Sequence, residues 1–212
     1  IDAAYQTAAT EDDNVNIVIT GGALDTVNKI KALNKAASAT SGSVQATITG
    51  TSTVTDELGN GTISGESLTI TINNAARLSQ YDTAKTATSS DVQITGSLSD
   101  DLENLINTSD NTLKTNAQAL VTGDKNVNIT LLDSNITTAN SGFVRLNNVA
   151  GATLHSGVIT ATVTGTAADI NHATTGLGNL SAAAGSADQI TFNVSSDSGN
   201  TLTALNSVAS KT

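Results

Sequence analysis

The chain reads as an α/β protein, a right-handed repeat solenoid of parallel strands about seven coils long, with short alanine-rich helices on one side. Three observations predict this. Two kinds of strand-like segment alternate along the chain; each alternates apolar with polar residues; and helix-like sequence with N-terminal cap signals lies between them. The competing reading is all-β, a β-sandwich or an all-β solenoid, because seven short strands suit that architecture too.

The first kind of strand is VNIVIT (Val15–Thr20), SLTITIN (Ser67–Asn73), NVNITL (Asn126–Leu131) and QITFNV (Gln189–Val194). Taken as equivalent, Ile17, Ile70, Ile129 and Ile190 recur at intervals of 53, 59 and 61 residues. The second kind is SVQATITG (Ser43–Gly50), DVQITG (Asp91–Gly96) and GVITATVTG (Gly157–Gly165), each falling between members of the first. These intervals divide one segment spanning residues 1–212 into pseudo-repeats at about 15–66, 67–125, 126–188 and 189–212. One side of each strand is Ile, Val, Leu or Ala. The other is largely Thr, Asn and Gln, with Thr47, Thr49, Thr69, Thr71, Thr160, Thr162 and Thr164 forming a T-x-T face. A parallel sheet covered on both faces would be apolar on both. This one should keep a polar face open.

Helical periodicity marks Ala23–Ser38, with Leu24, Val27, Ile30, Leu33 and Ala37 near one face, and Ala75–Ala87 is an alanine-rich counterpart. After each strand of the second kind comes S/T-x-x-D, at Thr53–Asp56, Ser97–Asp100 and Thr166–Asp169, where a hydroxyl can take the first free helix amides. Leu98, Leu102, Leu105 and Ile106 then predict a helix running on from Ser97. Strands lie about 4.8 Å apart, whereas packed helices need about 8–10 Å. A long helix on every second coil relieves that mismatch, so long and short helices should alternate.

Composition narrows the function. Among 212 residues there is no Pro, Cys, Met or Trp, and only two Tyr and two Phe. The core must be aliphatic, and no disulfide or thiolate metal site exists. A net charge of −10 with nine scattered Lys and Arg argues against nucleic acid as a partner. No run of 18 apolar residues is present, so no membrane insertion is expected. The start at Ile1, without Met or a signal peptide, suggests a processed product or an excised piece of a longer chain.

Catalytic signatures are missing. His155 and His172 are the only histidines and have no metal-spaced neighbours, and no nucleophile elbow, zinc-protease helix or phosphate loop appears. No catalytic residue and no enzyme activity is therefore expected. Gly176–Gly185 is glycine-containing but reads as a loop. The acidic clusters Glu11-Asp12-Asp13, Asp56-Glu57 and Asp100-Asp101-x-Glu103 suit helix starts. Calcium, which takes six to eight oxygens, is the one cofactor they suggest, with Asp12, Asp13, Asp100, Asp101 and Glu103 as the candidate ligands. The threonine face is the candidate binding surface, for polysaccharide or ice.

VTGTAADI (Val163–Ile170), followed by Asn171–Leu180, resembles the TGTAAD-type repeats of giant secreted and cell-surface proteins of marine cyanobacteria. Ile70–Thr86 is similar to a second unit of those chains. Residues 99–114 and 140–157 fit neither unit. The resemblance implies an extracellular or cell-surface structural or adhesive role, with no catalytic residues. The expected function is a component of a surface layer, filament or giant repeat protein that associates with copies of itself or with adjacent repeats. The alternative is an adhesion module acting through the threonine face.

Overall fold

The computed structural model describes residues 15–61, 63, 66–123, 126–152, 157–171, 189–196 and 201–209. The chain divides into two compact units, Ile1–Gly96 and Ser97–Thr212. Each holds one four-stranded sheet whose strands lie side by side in chain order, with every pair parallel. Helices intervene, so neither all-β alternative describes either unit.

The first unit runs β1 (Ile17–Val18), α1 (Val27–Ala37), β2 (Val44–Gly50), α2 (Ser52–Asp56) with a 3₁₀ turn Glu57–Asn60, β3 (Ser67–Ile72), α3 (Leu78–Ala87) and β4 (Val92–Ile94). Its apolar rows cross the strands in register. Leu24 pairs with Ile48, Ile48 with Ile70, and Ile70 with Val92; all four are buried. The second unit runs β5 (Ser97–Asp100), α4 (Leu102–Leu105), α5 (Thr115–Gly123), β6 (Asn128–Leu131), a 3₁₀ turn Ala139–Ser141, α6 (Gly142–Ala150), β7 (Ile159–Gly165), α7 (Ala167–Ile170), β8 (Gln189–Val194) and α8 (Leu202–Ala209). Its rows include Leu98–Ile129–Ile159 and Ile136–Val163–Phe192.

Register corrects the expected repeat. Paired strands are offset by 27, 22 and 22 residues in the first sheet and by 31, 30 and 29 in the second. Ile17 pairs with Val44, whereas Ile70 pairs through Ile48 with Leu24, so Ile17 and Ile70 occupy different rows. Leu24, expected on a helix, is a sheet residue: its amide donates to Thr47 O (2.8 Å) and its carbonyl accepts from Thr49 N (3.2 Å). The same detour recurs after β6. Ile136 N donates to Thr162 O (2.8 Å), and Ile136 O accepts from Thr164 N (2.9 Å). In both places eight residues on one strand, Ile17 to Leu24 or Ile129 to Ile136, face five on the next, Val44 to Ile48 or Ile159 to Val163. The true structural match is thus β1 with β6, β2 with β7 and β3 with β8, over about half the chain rather than a quarter.

Close approach shows the same correspondence. A Cβ on Gly42 would overlap the Val15 carbonyl, and one on Gly157 the Val127 carbonyl, so only glycine fits two residues ahead of β2 and of β7. Beside them, Ser43 N donates to Asn16 Oδ1 (2.9 Å), and Val158 N to Asn128 Oδ1 (3.0 Å).

Three further expectations change. Among the described residues eight strands are present, not seven, because Ser97–Asp100 is β5 and not a helix cap. Its alternating Leu98 and Asp100 face inward, and pairing with β6 outweighs the local cap signal. Leu98, Leu102, Leu105 and Ile106 are all buried, but on a strand, a one-turn helix and an antiparallel bridge to Leu113. Only Thr166–Asp169 caps as expected, with Thr166 Oγ1 accepting from Asp169 N (3.1 Å). Thr53 lies inside α2, whose first amide, Ser52 N, is held instead by Asn74 Oδ1 (2.7 Å) from beyond β3. The alternation of helix lengths does appear: 11, 5 and 10 residues for α1 to α3, and 9, 4 and 8 for α6 to α8. The β5–β6 crossover departs from it, with α4 and α5 both inserted.

Ile70→Ala opens a cavity between Ile48 and Val92 and should cost about 2–5 kcal/mol, read as a lower urea midpoint. Thr69→Ala, on the exposed side of the same strand, should stay within about 0.5 kcal/mol.

Candidate functional site

The polar side of the strands is where sequence places recognition. Strand geometry sets its lattice, with side chains about 6.6 Å apart along one strand and about 4.8 Å between strands. In the first unit Thr47 stands beside Thr69, and Thr49 beside Thr71, which in turn neighbours Gln93. In the second unit Ser99, Thr130, Thr160 and Gln189 form one row across four strands, Thr162 faces Thr191, and Thr164 faces Asn193. The seven threonines therefore belong to two sheets, four in one unit and three in the other. Thr47 and Thr69 are exposed; Thr49, Thr71, Thr160, Thr162 and Thr164 are half-buried.

Their hydroxyls differ in availability. Thr164 Oγ1 donates to Asn135 Oδ1 at 2.7 Å, which turns it toward the loop after β6. The hydroxyls of Thr47, Thr49, Thr69 and Thr71 have no hydrogen-bond partner among the described residues, so they are free to order water or meet a ligand. Ser99, Thr130 and Thr191 extend the rows and were not anticipated. Ser99 was hidden inside an apparent cap, and Thr130 and Thr191 sit singly on their strands without a T-x-T pattern.

The acidic candidates separate. Asp12, Asp13 and Glu11 lie outside the described residues, as do His155, His172 and Gly176–Gly185. Asp100 is 2% exposed. Its Oδ1 accepts from Asp101 N (3.0 Å) and Asn104 Nδ2 (2.8 Å), which holds the turn into α4. Asp101 stands at the N-cap of α4, but the first amide of that helix, Leu102 N, donates to Asp133 Oδ2 at 2.6 Å. Asp133 follows β6 by two residues, just as Asn74 follows β3. Each of these reaches back to the helix after the preceding strand. Glu103 is exposed on the first turn. Elsewhere Lys29 Nζ, 2.7 Å from Asp25, holds that carboxyl below its usual range, and hydrogen bonds from Thr112 do the same for Asp110. These contacts tie acids locally and gather no shared site.

A cavity of about 170 Å³ is walled by Glu103, Asp133, Asn135 and Arg145, below the roughly 300–1,000 Å³ of a small-molecule pocket. The Arg145 guanidinium, whose Nε donates to Asn111 Oδ1 (2.9 Å), opposes a divalent cation beside Glu103. Among the described residues no three His, Asp or Glu side chains stand together so as to hold a metal. No described helix is long and apolar enough to cross a membrane. No protein-family model, no curated protein and no solved structure was found to match the chain.

Because Asp133 supplies the first amide bond of α4, Asp133→Ala should lower stability by about 0.5–2 kcal/mol. Asp133→Asn, which keeps an acceptor oxygen, should recover most of that loss in the same thermal melt.

Proposed function

We propose that this chain is a structural segment of a bacterial extracellular surface layer, filament or giant secreted repeat protein. It works by stacking and by association with copies of itself or with adjacent repeats. The observation that carries this reading is that, among the described residues, bonding between strands within each sheet reaches only to the next strand in sequence. Pairing is sequential and parallel throughout both sheets. The polar ties follow the same rule: Asn16 and Asn128 hold the strand entry that follows them, and Asn74 and Asp133 hold the helix of the preceding crossover. Such construction is additive, because each strand–helix coil is completed by its neighbour and not by a remote part of the chain. The finer reading of the fold is accordingly a right-handed α/β solenoid. The resemblance of Val163–Ile170 to secreted repeats agrees with it, and is the support for an extracellular or cell-surface location.

A second reading is favoured by the in-register threonine rows. A regular array of hydroxyls and methyls, those of Thr47, Thr49, Thr69 and Thr71 unpartnered among the described residues, suits docking on a crystalline polysaccharide or ice.

Sedimentation and negative-stain microscopy across a concentration series distinguish the two. Concentration-dependent, elongated oligomers are expected from the structural role. A strictly monomeric particle at high concentration, with and without calcium, would falsify it. For the second reading, Thr160→Leu with Thr162→Leu should abolish adsorption to insoluble polysaccharide or ice while circular dichroism is unchanged. Retained adsorption removes that reading.

A further inference from the structure

Resting on the stacking reading, the internal match between the two units indicates what the last coil lacks. In register, β3 and β8 are equivalent: Ala46 pairs with Leu68 as Ala161 pairs with Ile190, and Gly50 with Ile72 as Gly165 with Val194. The helices that follow share a pattern, Leu78-x-x-Tyr81-x-x-Ala84 in α3 and Leu202-x-x-Leu205-x-x-Val208 in α8. Each leans on the helix before it. Gln80 Nε2 donates to Asp56 Oδ2 (2.7 Å), while Asn171 Nδ2 donates to Ala204 O (2.9 Å) and Ser207 Oγ to Asn171 Oδ1 (2.9 Å).

The two helices differ in what comes next. Leu78 is 5% exposed and Tyr81 3%, and α3 packs against β4. Leu202 is 75% exposed and Leu205 37%. β8 ends its sheet, paired only with β7 among the described residues. Its six residues carry no charge and no proline, two of the devices that guard a strand edge.

We propose that the free edge of β8, with Leu202 and Leu205, is the acceptor surface for one further coil of the β4 kind. The occupant is a parallel strand with an apolar–polar–apolar triplet. In the first unit Val92, Gln93 and Ile94 pair with Ile70, Thr71 and Ile72. The triplet's partners on β8 are then Phe192, Asn193 and Val194, and the chain entering the strand covers Leu202 and Leu205. The coil comes from an adjacent repeat, and the contact is strand addition to a sheet edge.

A fluorescent peptide of residues 88–97 (TSSDVQITGS) is the probe, titrated against the full chain by anisotropy. Saturable binding is expected, weakened at least about tenfold by Leu202→Asp with Leu205→Asp, with circular dichroism and melting temperature unchanged in the variant. A scrambled peptide should not bind. Binding indifferent to the two substitutions overturns the proposal. So does self-association that survives them while the peptide fails to bind, although stacking itself would then stand. If they abolish self-association but the peptide never binds, the occupant is a different strand, such as β1 of a second copy, and the β4-type assignment is overturned. Peptide binding by a chain that stays monomeric supports this acceptor surface and counts against self-assembly.

Discussion

Within each sheet, parallel pairing of a strand with the next one in sequence is the constraint on which the rest depends. Pairing fixes which side chains share a row, and the rows fix which face is buried. With Ile48, Ile70 and Val92 in line, a one-residue slip of β3 would put Thr69 and Thr71 into the core. The aliphatic composition follows. Ile, Val and Leu fill rows whose members stand about 4.8 Å apart without the bulk of an aromatic ring, and Phe143 is the one aromatic among the largest fully buried side chains.

The same constraint explains the helices. Two helices cannot pack at strand spacing, so the crossovers other than β5–β6 alternate between about three turns and one. Where a helix is short its ends are a large share of its length, and free amides must be satisfied from elsewhere. Asn74 and Asp133 do this from the following crossover. Polar side chains thereby join neighbouring crossovers as the apolar rows join neighbouring strands. An acid beside a helix start thus has a structural task. Asp100, buried and holding its own turn, is an example in which an apparent cation ligand is already committed within the fold.

The threonine face is a by-product of the arrangement and also its open resource. Alternation gives every paired strand one outward side, and β-branched threonine suits an exposed strand. Free hydroxyls at Thr47, Thr49, Thr69 and Thr71 remain available for contact, whereas Thr164 is taken by Asn135.

Local pattern alone determined seven of the strands and the buried side of each, the helices at Val27–Ala37 and Leu78–Ala87, and the alternation of long and short helices. These depend on periodicity within ten or so residues, which a sequence displays directly. It did not determine register. Four isoleucines at comparable intervals looked equivalent, but the detours after Ile17 and Ile129 move the partner of Ile48 to Leu24 and that of Val163 to Ile136. Nor did it reveal β5, because Ser97–Asp100 satisfies a cap pattern and a strand pattern equally, and the choice was made by Ile129 and Leu131 alongside. The caps at Asn74 and Asp133 were invisible for the same reason: donor and acceptor lie 22 and 31 residues apart. Only when strands settle side by side does such a separation become one hydrogen bond.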